Sequence, residues 1–234
     1  MPGPQGPDQP GLPFPPLRTR PEAFVTGAGN RDALDRVAAW RGGLARPARP
    51  LAVVLAVSGP GGSGKSRLLA REAAGFGVSV RRPGADFEAD LAEGSAIVAD
   101  DVHEMAPLDL FALIEAAARA GLPLLVAGSG RLSDWSGKGE ARLPDLTSRL
   151  RAVAHAPLGP PDEAMLAEVL SAQLARRGLR VPFGPVAEAA GRLRREYVAA
   201  TGLAEAAERL AARGYRKPAT LLRDALAEAA EHAL

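Results

Sequence analysis

Gly59-Pro60-Gly61-Gly62-Ser63-Gly64-Lys65-Ser66 decides the reading of this chain. The stretch fits the phosphate-binding pattern G-x-x-x-x-G-K-[ST] at every fixed position. Leu51 to Val57 before it is an apolar run of strand length, and Arg67 to Ala74 after it is built of good helix formers. Strand, loop, helix is the context in which the pattern has a mechanism. Gly59, Gly61, Gly62 and Gly64 let backbone N–H groups turn inward around an anion, with no Cβ in the way. The start of the following helix adds its dipole and its unpaired N–H groups. Together with Ser63, these glycines form the expected cradle. Lys65 is placed to reach the β- and γ-phosphates, and the Ser66 hydroxyl to hold Mg²⁺. A nucleoside di- or triphosphate with Mg²⁺ is therefore the expected ligand.

Working outward, 234 residues make one large domain, or one domain and a smaller one, with enough chain to bury a core. Hydrophobic content of 47% and charged content of 24% are ordinary for a soluble globular protein. Cysteine is absent, which excludes disulfides, zinc–thiolate sites and a cysteine nucleophile, and suits a reducing cytoplasm. No apolar run approaches membrane-spanning length, and the N-terminus has no signal-peptide pattern. A net charge of +2 does not by itself point to nucleic acid.

Residues 1–21 hold eight of the 21 prolines, and no core can be built from them. Within them, Gln9, Leu12 and Phe14 resemble the short peptide with which bacterial proteins dock on the replication sliding clamp. An extended peptide that fills pockets with alternate apolar side chains is a known recognition mode. A Pro-rich tail with incidental apolar residues gives the same pattern. Asn30 reads as the N-cap of a helix over 31–40. Beyond the loop, strands are expected at 77–80, 95–101, 122–127 and 152–157. Helices are expected at 85–91, 109–120 and 143–151. Strands alternating with helices imply a parallel sheet covered on both faces. From Pro160 the sequence becomes rich in Ala, Leu, Glu and Arg. Helices are expected at 162–177, 186–197, 201–213 and 218–233. The expected organisation is a tail (1–21), an α/β nucleotide-binding core (22–159) and a helical domain (160–234).

Asp100 and Asp101 end an apolar strand, where an NTPase needs its carboxylates. Asp100 would hold Mg²⁺ and Asp101 would orient or deprotonate the attacking water. A polar turn after a strand reads the same way when taken alone. Ser129 follows the fourth strand, where a polar side chain can report on the γ-phosphate, although ordinary loops also carry serine there. Arg149, in Ser148-Arg149-Leu150-Arg151, is either a solvated helix residue or a cation for a transferring phosphoryl group.

These pieces together resemble the DnaA-related AAA+ ATPases, and more closely the Hda-type regulators that inactivate the initiator DnaA. Phe24, Val25, Gly27 and Asn30 are similar to the segment that packs around the adenine of ATP or ADP. Leu143-Pro-Asp-Leu-Thr-Ser-Arg149 is similar to the arginine-finger helix. Pro160-Pro161-Asp162 is similar to the entry to the helical lid. The resemblance implies strand order 5-1-4-3-2, a finger that acts in trans, and DnaA and the β-subunit sliding clamp of DNA polymerase III as partners. It also implies a cytoplasmic, nucleoid- or replisome-associated location and no dedicated sequence-specific DNA-binding domain. The γ-phosphate-sensing arginine of the lid falls at Gly202, which implies weak self-hydrolysis. A helicase-loader-like AAA+ protein and a small-molecule phosphotransferase are the alternative readings.

Overall fold

A computed structural model describes residues 24–214 and 217–231. The chain divides into two compact units, one made of 24–165 with 195–198, the other of 166–194 with the residues from 199 onward.

The first unit is a five-stranded parallel sheet with order β2-β3-β4-β1-β5, the order that the family resemblance implied. Its strands are β1 (Val54–Gly59), β2 (Val80–Arg81), β3 (Ile97–Ala99), β4 (Leu124–Ser129) and β5 (Ala154–Pro157). Its helices are α1 (Arg31–Gly43), α2 (Lys65–Phe76), α3 (Phe87–Glu93), α4 (Pro107–Ala120) and α5 (Pro144–Ala152). Side chains alternate across the sheet. Val54, Ala56, Leu124 and Val126 pack with Leu110, Ile114, Leu146 and Leu150 of α4 and α5. Leu55, Val57, Leu125 and Ala127 pack with Val37, Trp40, Leu68 and Leu69 of α1 and α2. Both faces are covered, which is why the central strands read as continuous apolar runs.

Several element ends differ from expectation. The first strand starts at Val54 rather than Leu51, because Pro50 opens a short 3₁₀ turn over Pro50–Val53. It runs on to Gly59, paired with Ser129. Residues 77–78 are spent ending α2: Gly77 has φ of 74°, and the Val78 N–H donates to the Ala73 carbonyl. Only Val80 and Arg81 remain for β2. Asp86 accepts from the Glu88 and Ala89 amides and so starts α3 at Phe87. Ser129 is the last residue of β4, not the first of the loop.

The second unit holds most of α6 (Glu163–Arg176) and of α8 (Tyr197–Ala212), with all of α7 (Phe183–Ala190) and α9 (Pro218–Glu231). Its core gathers Leu170, Leu174, Val186, Leu203, Leu210 and Leu222. The helix expected over 186–197 stops at Ala190. Gly191 is a poor helix former, and the Arg192 and Leu193 amides turn back on the Ala189 and Ala190 carbonyls.

Candidate nucleotide site and arginine pair

The loop that follows β1 is shaped before any ligand is considered. Gly62 and Gly64 have φ of 73° and 92°, values that a side chain would strain. A Cβ on Gly59 would come within 2.9 Å of the Leu158 carbonyl oxygen and 3.0 Å of Ser63 Oγ. Gly61 and Ser66 are exposed, whereas Ser63 and Lys65 are buried. Lys65 Nζ donates to the Gly59 and Pro60 carbonyls at 3.0 and 2.9 Å, so its ammonium is drawn into its own loop. Burial pushes its pKa below the usual lysine value, opposed by the fields of Asp100 and Asp101.

Asp100 follows β3 directly and is 1% exposed. Its Oδ1 accepts from the Asp101 amide at 3.0 Å, while its Oδ2 is buried with no hydrogen-bond partner. Ser63 Oγ is also buried without a partner. Two orphaned oxygens beside a glycine cradle and a buried ammonium fit a phosphate with its cation, because buried polar groups otherwise find partners. Ser66 and Asp100 are the residues that would hold Mg²⁺. Asp101 has φ of 55°, rare for a residue with a side chain, and its Oδ2 pairs with Arg82 Nη1 at 2.5 Å.

Ser129 is cross-strand from Gly59, the first residue of the loop, and its carbonyl accepts from Trp135 Nε1 at 2.9 Å. Phe24 packs against Gly64, where an added Cβ would lie 3.1 Å from its ring, and the Arg71 guanidinium sits over that ring at 5.7 Å from its centroid. Asn30 occupies the N-cap position of α1 but makes no side-chain cap bond. Its amide instead braces the preceding loop, accepting from the Gly27 amide at 2.9 Å and donating to the Val25 carbonyl at 2.7 Å. Asn30 thus fixes the backbone at Val25 and Gly27.

Arg149 lies in the last turn of α5 and pairs with Glu115 of α4, Nε to Oε1 at 2.6 Å and Nη2 to Oε2 at 3.3 Å. Tyr197 and Val198 approach Gly61 and Gly62 of the phosphate loop, and the Tyr197 O–H donates to the Gly159 carbonyl. Sequence reading found none of Arg82, Glu115 or Tyr197, because each meets its partner from a distant segment with no fixed spacing. Gln9, Leu12 and Phe14 lie outside the described residues. Among the described residues no helix is long and apolar enough to cross a membrane. Gly202, on α8, has open space where a side chain would begin.

No protein-family model matches the chain, and no curated protein matches it. Solved structures do. Domain III of the Thermotoga maritima replication initiation protein DnaA superposes with a TM-score of 0.65 at 17% identity, covering 92% of this chain and 98% of that one. The Thermotoga maritima RuvB Holliday junction branch migration motor gives 0.57 at 16%, covering 82% and 66%. Replication initiator DnaA bound to AMPPCP and single-stranded DNA gives 0.56 at 16%, covering 79% and 63%. The architecture is therefore a five-stranded parallel α/β core with strand order 5-1-4-3-2, followed by a helical C-terminal unit, and its fold is similar to that of DnaA domain III and of RuvB.

Proposed function

We propose that this protein is a nucleotide-binding regulator of chromosomal replication initiation. It docks on the sliding clamp through Gln9, Leu12 and Phe14, and it uses Arg149 to stimulate hydrolysis of ATP held by DnaA. The observation that carries the reading is the placement of Arg149. Helix α5 returns along a parallel sheet, so its last turn lies toward the end where strands begin. The phosphate loop follows the opposite end of β1. An arginine so placed serves a phosphate on another molecule better than one on its own chain. The fold likeness to DnaA domain III supports a partner of the same architecture, as a shared fold lets two such cores stack in one register.

The chain's own residues divide the work. The glycine cradle, Ser63 and Lys65 bind the phosphates of its own nucleotide. Ser66 and Asp100 would hold Mg²⁺, which would supply neutralisation of the phosphate charge. The loop from Phe24 and Val25 to Asn30 walls the base. Asp101 and Ser129 are set to orient a water and to sense the γ-phosphate. Asp101 is engaged by Arg82, and Gly202 supplies no cation, so self-hydrolysis is slow.

The test uses DnaA charged with labelled ATP, clamp loaded on DNA, and this protein added. Wild type should raise ADP formation on DnaA. Arg149→Ala should lose that stimulation, which for an arginine finger reaches about 10³–10⁵-fold. Arg151→Ala should do far less. If Arg149→Ala stimulates as wild type does, the trans mechanism is wrong and a helicase-loader role becomes the better reading.

A further inference from the structure

We infer that Glu115 is a positioning residue for Arg149: it grips one edge of the guanidinium and so aims the other edge outward as a preformed two-pronged phosphate clamp. The inference rests on the trans-acting role proposed above for Arg149 and adds a residue to it. A guanidinium has five N–H bonds on two usable edges. Glu115 takes the side edge, with Oε1 on Nε at 2.6 Å and Oε2 on Nη2 at 3.3 Å. That pairing leaves both N–H groups of Nη1 and one of Nη2 uncommitted. Among the described residues nothing bonds Nη1. The remaining edge is the one that meets two oxygens of a phosphoryl group in parallel. Arg149 is 43% exposed and Glu115 25%, so the carboxylate is the more sheltered partner and the arginine the more accessible one.

The mounting is rigid. Leu113 and Ile114 of α4 and Leu146 and Leu150 of α5 are buried in one core, and they flank Glu115 and Arg149 along the chain. The guanidinium is thereby anchored from one helix and its Cα from the other. A free arginine in that position would have to give up its rotamer freedom each time it engaged a phosphate. The carboxylate also offsets part of the positive charge. Positioning and charge therefore act in opposite directions, and the measured sign shows which is larger. The side-edge geometry favours positioning, since a carboxylate that merely stored the arginine could as well occupy the outer fork.

The reconstituted assay with DnaA-bound labelled ATP and clamp-loaded DNA decides. Glu115→Ala should lower the maximal rate of ADP formation about tenfold, while the concentration of this protein giving half-maximal stimulation stays near wild type. Glu115→Gln keeps one oxygen to accept from Nε and should recover part of the rate. It also decides the matter if the alanine variant folds poorly. A purely structural role would instead lower thermal stability and affect both variants' half-maximal concentration. Stimulation by Glu115→Ala equal to or above wild type overturns the inference, the latter making Glu115 a restraint. Arg149→Ala run beside it separates the two levels. If Arg149→Ala abolishes stimulation but Glu115→Ala does not reduce it, only the positioning role falls. If Arg149→Ala stimulates normally, the trans mechanism falls and the positioning role with it.

Discussion

Lys65 is held between a burial that disfavours its charge and two aspartates that favour it. Its ammonium is satisfied by the Gly59 and Pro60 carbonyls, bonds that a phosphate would replace with stronger ones to a charged acceptor. Lys65→Ala should therefore weaken binding of ADP and ATP roughly 100-fold, the equivalent of two charge-assisted hydrogen bonds at ~1.5 kcal/mol each. Titration calorimetry checks this, and wild-type affinity in the variant would remove the site. Asp101 is restrained differently. A carboxylate bonded to Arg82 has fewer lone pairs to offer a water, and the pair is exposed enough on the arginine side, at 66%, to add little stability. Arg82→Ala should leave the melting temperature nearly unchanged and raise single-turnover ATP hydrolysis by about fivefold, the rate equivalent of ~1 kcal/mol. A fall in rate would make Arg82 a helper of the reaction instead. The loop residues were legible in the sequence because their spacing is local. The Arg82–Asp101 and Arg149–Glu115 pairs were not, since 19 and 34 residues separate their members and only the fold brings them together.

At the scale of the element, the first residue of α8 ties distant segments together. Tyr197 packs its Cβ 3.0 Å from the position of a Cβ on Gly62, and its hydroxyl lies 3.2 Å from the Gly159 carbonyl and 3.4 Å from Met165 Sδ. Burial, reinforced by the field of Asp162, pushes the phenol pKa from 10.0 up to about 12. The fold thus favours the neutral phenol. Its contribution is complete below pH 10, where the unfolded chain also keeps the proton, and is lost as pH rises from 10 to 12. The ceiling is on the order of a few kcal/mol for a rise of that size. Other groups titrate in that range, so the diagnostic quantity is the difference between wild type and Tyr197→Phe. Urea unfolding at pH 9 and pH 11 should show the wild-type advantage shrinking at the higher pH. A gap that does not depend on pH would show that the phenol is not shielded. The sequence placed Tyr197 at the end of a helix rather than at the start of the next one. Apolar runs and amphipathic faces reveal the middles of elements, as they did for β1, β4 and α4. Their ends are fixed by caps and turns such as Pro50, Gly77 and Gly191, which compete locally with the pattern and are poorly read from it.

At the scale of the molecule, the α/β core and the helical unit each have their own apolar core, and the chain passes from one to the other after Met165, with 195–198 belonging to the first. The parallel sheet was legible in the strand–helix alternation, whereas its strand order came from the family resemblance. The partner proposed for Arg149 rests likewise on the family resemblance, since no spacing within one chain encodes a second one. The proposed clamp peptide supplies the remaining link. Gln9, Leu12 and Phe14 lie outside the described residues, and Phe14 is ten positions before Phe24, the first residue described. Ten residues reach no more than about 35 Å even when fully extended. A core tethered so closely to a clamp on DNA is confined to a small volume beside it, and its encounter with DnaA at the same DNA becomes nearly intramolecular. Effective concentrations for short linkers are on the order of millimolar. Replacing Gln9, Leu12 and Phe14 together by alanine should abolish clamp binding in surface plasmon resonance while ADP affinity and melting temperature stay at wild-type values. Stimulation of DnaA should then be lost at low protein concentration and return as the concentration is raised toward the millimolar range, because Arg149 is intact and only the tether is gone. Undiminished clamp binding by the triple variant would refute the peptide assignment. Clamp binding lost without any loss of stimulation would show that the tether plays no part in bringing Arg149 to its target.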